Sequence, residues 1–105
     1  MTYHFHGSHL IAGQLVPTDM TFSSSPASGM GAAFSSGSPD LVGRACAAAH
    51  AAFEGFAATS REQRATLLEA IADQIDSRGD DITAVGSAET GLPEARLVGE
   101  RGRTT

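Results

Sequence analysis

Thr59-Ser60-Arg61-Glu62-Gln63-Arg64-Ala65-Thr66-Leu67-Leu68-Glu69-Ala70-Ile71-Ala72-Asp73-Gln74-Ile75-Asp76-Ser77-Arg78-Gly79, running on through Asp80-Asp81-Ile82 to Ala88-Glu89-Thr90-Gly91, is the longest periodic stretch of the chain. Its start is marked twice. Thr59 has Glu62 three residues on and Ser60 has Gln63, so either register offers a capping box for the orphan amides of a helix start. Arg64, Leu67, Leu68, Ile71, Ala72 and Ile75 then recur at spacings of three and four, which predicts one apolar stripe, with Glu69, Asp73, Asp76 and Arg78 on the wet side. Gly79 is expected to stop this helix in a left-handed conformation, and Asp80-Asp81 to cap a second helix through Ile82, Val85 and Glu89 that ends at Gly91.

A second helix start lies upstream at Ser38-Pro39-Asp40, with serine as N-cap, proline at the first helical position and an acid at the positive dipole end. Val42, Ala45, Cys46, Ala49, Ala52, Phe53 and Phe56 fall on one face of that helix, which is expected to be its buried face, with the two phenylalanines supplying most of the burial. Earlier still, His9 to Val16 reads as two short apolar runs around Ala12-Gly13, the pattern of a tight β-hairpin in which Gly13 accepts positive φ. Pro17 ends the second strand or confines it to an edge. From Thr21 to Gly37 small and polar residues dominate, and two readings stand. One is a low-complexity linker. The other is a strand, a turn at Ser25-Pro26-Ala27-Ser28-Gly29 and a second strand near Ala32 to Ser35, and the offset from proline to glycine favours it. After Gly91, Pro93 opens a last, mostly polar helix through Glu94, Arg96, Leu97 and Arg101. No stop signal follows it, so the chain is expected to be a piece of a longer one. No repeat of 20 to 50 residues is present, which argues against a solenoid.

The 105 residues bound the chain at one domain, able to bury roughly two thirds of its unfolded surface. Much of the apolar content is alanine and only six residues are aromatic, five Phe and one Tyr, so a small core of marginal stability is expected. Seven basic residues, all arginine, oppose twelve acidic ones, for a net charge of −5. That balance argues against nucleic-acid and anionic-membrane partners, which need a clustered positive field. Without lysine there is neither a Schiff-base lysine nor a phosphate-loop lysine. A single cysteine, no asparagine for glycosylation, no basic-then-apolar leader in Met1 to Ala12 and no long apolar run point to a cytoplasmic protein with neither export signal nor membrane span.

Ala88-Glu89-Thr90-Gly91-Leu92-Pro93-Glu94-Ala95-Arg96, following a capped amphipathic helix, resembles the N-terminal region of the aldehyde dehydrogenase superfamily, whose members carry Glu-Thr-Gly before another helix at this point. Leu92 to Leu97 with Gly99-Glu100-Arg101-Gly102-Arg103-Thr104 is most similar to the branch that oxidises 2-oxoglutarate semialdehyde. Ser25-Pro26-Ala27-Ser28-Gly29 resembles the family's Asn-Pro-Ala-Thr-Gly turn, and the family also has a hairpin where His9 to Val16 lies, usually with a stronger turn dipeptide.

The resemblance implies a mainly α segment with a short N-terminal β-hairpin, the N-terminal fragment of an α/β Rossmann-like cofactor domain. Residues 1–37 would form hairpin and turn, and residues 38–105 helices that pack on a sheet lying elsewhere in the protein. It implies a parent enzyme that uses NAD or NADP to oxidise a semialdehyde, a full-length homodimer or homotetramer, and the remainder of the dehydrogenase chain as partner. It also implies that the glycine-rich cofactor turn, general base and nucleophilic cysteine all follow the region matched here. No catalytic, cofactor-binding or metal-binding residue is therefore expected in this chain, which alone should be inactive. The competing reading is a small non-enzymatic helical interaction protein that pairs through Leu67, Leu68, Ile71 and Ile75.

Tempting residues have plainer explanations. Cys46 lies on the apolar face of an alanine-rich helix without a basic neighbour, and is expected to be inert packing. His4, His6 and His9 have the spacing of a strand-borne chelate but lack further ligands, so a solvated tail is expected, with His50 a single surface or boundary histidine. Gly29-Met30-Gly31-Ala32-Ala33-Phe34 opens like a dinucleotide fingerprint, yet has phenylalanine at the third glycine. Asp80-Asp81 has no partner carboxylate for acid/base work, and Arg101-Gly102-Arg103 reads as a solvated helix end.

Overall fold

The computed structural model describes residues 4–105. Four short strands precede four helices: β1 (His9–Ile11), β2 (Gln14–Val16), β3 (Thr21–Ser23), β4 (Ala33–Ser35), α1 (Pro39–Ala57), α2 (Arg61–Ser77), α3 (Gly79–Thr90) and α4 (Glu94–Thr104). They fall into two compact units, Phe5–Ser24 with Ala32–Thr59, and Ser25–Gly31 with Ser60–Thr105.

The first unit contains two antiparallel hairpins, β1–β2 and β3–β4. In β1–β2 the register pairs Leu10 with Leu15 and Ile11 with Gln14, leaving Ala12-Gly13 as a two-residue turn. Both turn residues have positive φ, 51° at Ala12 and 76° at Gly13. Two left-handed residues match the right-handed twist of the strands they join. Alanine is poorly suited to the first of them, because its Cβ crowds the following carbonyl. Ala12→Asn is accordingly expected to stabilise the hairpin by about 0.5–1 kcal/mol. A thermal melt of the variant should show a raised midpoint, and an unchanged one would contradict the turn geometry.

The strand-turn-strand reading of Thr21 to Gly37 holds, since β3 pairs with β4 and Phe22 lies opposite Phe34. Phe34 is the hub of a small aromatic cluster, stacked on Phe22 at 5.9 Å between centroids and edge-on to Phe5 at 5.6 Å. Ser35 is buried, and its hydroxyl accepts from the Thr18 amide at 3.0 Å. The Thr18 hydroxyl reaches the carbonyls of Met20 at 2.9 Å and Ser36 at 3.0 Å, which fixes the exit from β2 against the second hairpin.

Helix α1 starts as its sequence predicts: Ser38 is the N-cap, its hydroxyl accepts from the Leu41 amide at 3.2 Å, and Pro39 opens the first turn. Its inward face is a correction. Leu41, the one buried apolar residue among those described, and half-buried Ala48 point inward, and α1 lies against β1. The wider stripe from Val42 to Phe56 is open: Val42 is 61% exposed, Phe53 68% and Phe56 52%. The physical reason is supply. One short hairpin covers one narrow side of a 19-residue helix, and the broad apolar face finds no cover among the described residues.

In the second unit, Ser60 rather than Thr59 caps α2. The Ser60 hydroxyl accepts from the Gln63 amide at 3.0 Å, and the Gln63 side chain accepts from the Ser60 amide at 2.8 Å, a complete capping box. Thr59 is committed elsewhere, its hydroxyl donating to the Phe56 carbonyl at 2.6 Å. Along α2, Ile75, Ala72 and Arg64 are half-buried while Leu67, Leu68 and Ile71 remain exposed.

Gly79 corrects a second expectation. It is not left-handed; α2 passes through Arg78 (φ −108°, ψ 13°) straight into α3. A side chain there would collide with the Arg101 guanidinium of α4, so the glycine serves a close approach between helices. Asp80 and Asp81 make no capping hydrogen bond; they stand in the first turn, where their charge complements the dipole. Helix α4 leans on α3 through Leu97, whose methyl lies 3.1 Å from where a Cβ on Gly86 would be. Among the described residues no helix is long and apolar enough to cross a membrane.

Candidate functional site

The residues that carry the family resemblance converge at the end of α3, and they do so to satisfy backbone. Gly91 is left-handed (φ 74°) and its amide donates to the Ser87 carbonyl at 2.8 Å, the closure that glycine permits at a helix C-terminus. Thr90 turns its hydroxyl back onto the Gly86 carbonyl at 2.6 Å and accepts from the Leu92 amide at 3.2 Å. The Ser87 hydroxyl donates to the Leu92 carbonyl at 2.9 Å, so the connection to Pro93 and α4 is held from both sides. Pro93, at φ −58° and ψ 138°, then stands as N-cap of α4, and its carbonyl receives the amides of Arg96 and Leu97.

Two further carbonyls at this helix end are satisfied from far away in sequence. The Ala27 amide donates to the Glu89 carbonyl at 3.3 Å and the Ser28 amide to the Ala88 carbonyl at 3.0 Å. The Ser25–Gly31 turn thus straps the C-terminus of α3, supplying donors that a free helix end would take from water. Glu-Thr-Gly and Pro-Ala-Ser-Gly, the two motifs similar to the family's, are therefore halves of one contact. No side-chain pattern announces it, because the donors are amides.

A second contact pins the other end of α3. Arg101 donates from a terminal nitrogen to the Thr83 hydroxyl at 3.0 Å, and Thr83 is buried. With Gly79 beneath it, the guanidinium is half-buried between α4 and the start of α3, which corrects the reading of Arg101 as a solvated helix end; Arg103 is exposed. The only sequence signal was a glycine at a helix start.

The remaining candidates are scattered. Cys46 is exposed, not packed. His4 and His6 are exposed, and His6 Nδ1 accepts from the Ser8 amide at 3.0 Å. His9 belongs to β1 and not to a tail, with Nε2 buried and without a hydrogen-bond partner. His50 lies exposed on α1. No group of three His, Cys, Asp or Glu among the described residues is placed to hold a metal ion. The Gly29–Phe34 stretch enters strand β4, where a dinucleotide fingerprint would enter a helix.

The Ser25–Gly31 turn is not built as a pyrophosphate cradle. A pyrophosphate needs free amides at the positive end of a helix. The amides of this glycine-containing turn instead meet carbonyls at the negative end of α3, two of them already engaged.

Comparison with known proteins agrees with the motifs. The chain is 54% identical over 63 residues to alpha-ketoglutaric semialdehyde dehydrogenase 2 of Azospirillum brasilense, covering 60% of this chain and 12% of that protein. It is 38% identical over 104 residues to the alpha-ketoglutaric semialdehyde dehydrogenase of Acinetobacter baylyi, covering 95% of this chain and 20% of that protein. The chain thus spans a fifth or less of the length of these curated relatives. Residues 21–104, from β3 to the end of α4, match the family model for aldehyde dehydrogenases, and the chain belongs to the aldehyde dehydrogenase family.

Proposed function

We propose that this chain is the N-terminal, structural part of the cofactor-binding domain of an NAD(P)-dependent dehydrogenase that oxidises a dicarboxylic semialdehyde, 2-oxoglutarate semialdehyde being the favoured substrate. The observation that carries the reading is the similarity to the Acinetobacter baylyi enzyme along 95% of the chain. In the proposed reaction aldehyde, water and oxidised nicotinamide give carboxylate, reduced nicotinamide and two protons. The residues present contribute backbone closure and helix packing, and the remainder of the dehydrogenase brings cofactor site, nucleophile and sheet. The full-length protein is proposed to be a cytoplasmic homodimer or homotetramer.

The test is an absorbance assay for nicotinamide reduction with 2-oxoglutarate semialdehyde, run with NAD and with NADP on the protein encoded by the whole reading frame. Turnover is expected there, and none from the 105-residue chain. No turnover by the long protein would remove the substrate assignment, while activity in the short chain would remove the structural role. The exposed Leu67, Leu68 and Ile71 of α2 favour a second reading, a non-enzymatic helical interaction protein. A reading frame that continues past Thr105 into a glycine-rich turn and a downstream cysteine supports the enzyme; a stop codon there supports the interaction protein.

A further inference from the structure

We draw no further inference here: the strongest candidate, the exposed apolar stripe of α1 that carries Val42, Phe53 and Phe56, carries nothing because nothing in the structure shows what covers it.

Discussion

Gly7→Ala is expected to destabilise the two-hairpin unit by about 3 kcal/mol, a large share of what a small domain possesses. Gly7 has φ 67°, and a Cβ built on it would strike the backbone carbonyl oxygen of Ala33, with the Ala33 carbonyl carbon and the Phe34 Cα both at 3.3 Å. The obstacle is main chain within β4, which cannot swing aside as a side-chain tip can. Meanwhile the Gly7 carbonyl accepts from the Ser35 amide at 2.7 Å, so relieving the clash pulls apart a hydrogen bond beside the buried Ser35. Left-handed strain contributes about 1–2 kcal/mol and the lost bond with its desolvated amide about 1–3 kcal/mol, the two overlapping because one movement relieves both. Gly37→Ala is the control, since nothing lies within 4 Å of its Cβ and its φ is not positive. Urea melts of the two variants, with amide exchange followed at Ser35, should separate them clearly. Equal midpoints would mean that the Gly7 approach to β4 is not present in solution.

Which features the sequence discloses depends on whether a residue acts locally. Ser38-Pro39, Ser60 with Gln63, Gly13 and Gly91 each work within a few residues of themselves, and each was legible as a cap or a turn. The turn from Ser25 to Gly29 was legible for the same reason. Gly79 was misread because its reason is Arg101, 22 residues further on, and a glycine after a helix looks alike whether it turns left-handed or admits a neighbour. The inward side of α1 was misread for a different cause. Periodicity finds the widest apolar stripe, and the rule that this stripe faces inward assumes the chain has something to set against it. Here one narrow hairpin takes Leu41 and leaves the broader face open. The strap on α3 was half legible: both motifs were visible, but not that one caps the other, since its donors are the amides of Ala27 and Ser28.

That strap sets up the second large effect. Gly91→Val is expected to cost about 2–3 kcal/mol, and Gly91→Ala about 1–2 kcal/mol, the difference divided between the strap and the greater left-handed strain of a β-branched residue. Either substitution meets the left-handed φ of 74°, which a β-branched residue tolerates least. Either also brings a Cβ to 3.2 Å from the Cβ of Ala27, whose amide is one of the two donors to α3. Valine's two extra methyl groups should push Ala27 away and release both strap bonds, exposing the carbonyls of Ala88 and Glu89. A double-mutant cycle separates the causes. Ala27→Gly should recover the steric part of the Gly91→Val loss, about 1 kcal/mol, while the backbone part remains. Gly99→Ala, in the middle of α4 with open space around it, should instead gain up to about 1 kcal/mol from helix propensity alone. Chemical denaturation of the unsubstituted chain and the five variants, the Ala27→Gly/Gly91→Val double included, reads all of this. Strict additivity of Ala27→Gly and Gly91→Val would show that the turn does not lie against the end of α3, and the strap would then have no part in holding the Glu-Thr-Gly segment.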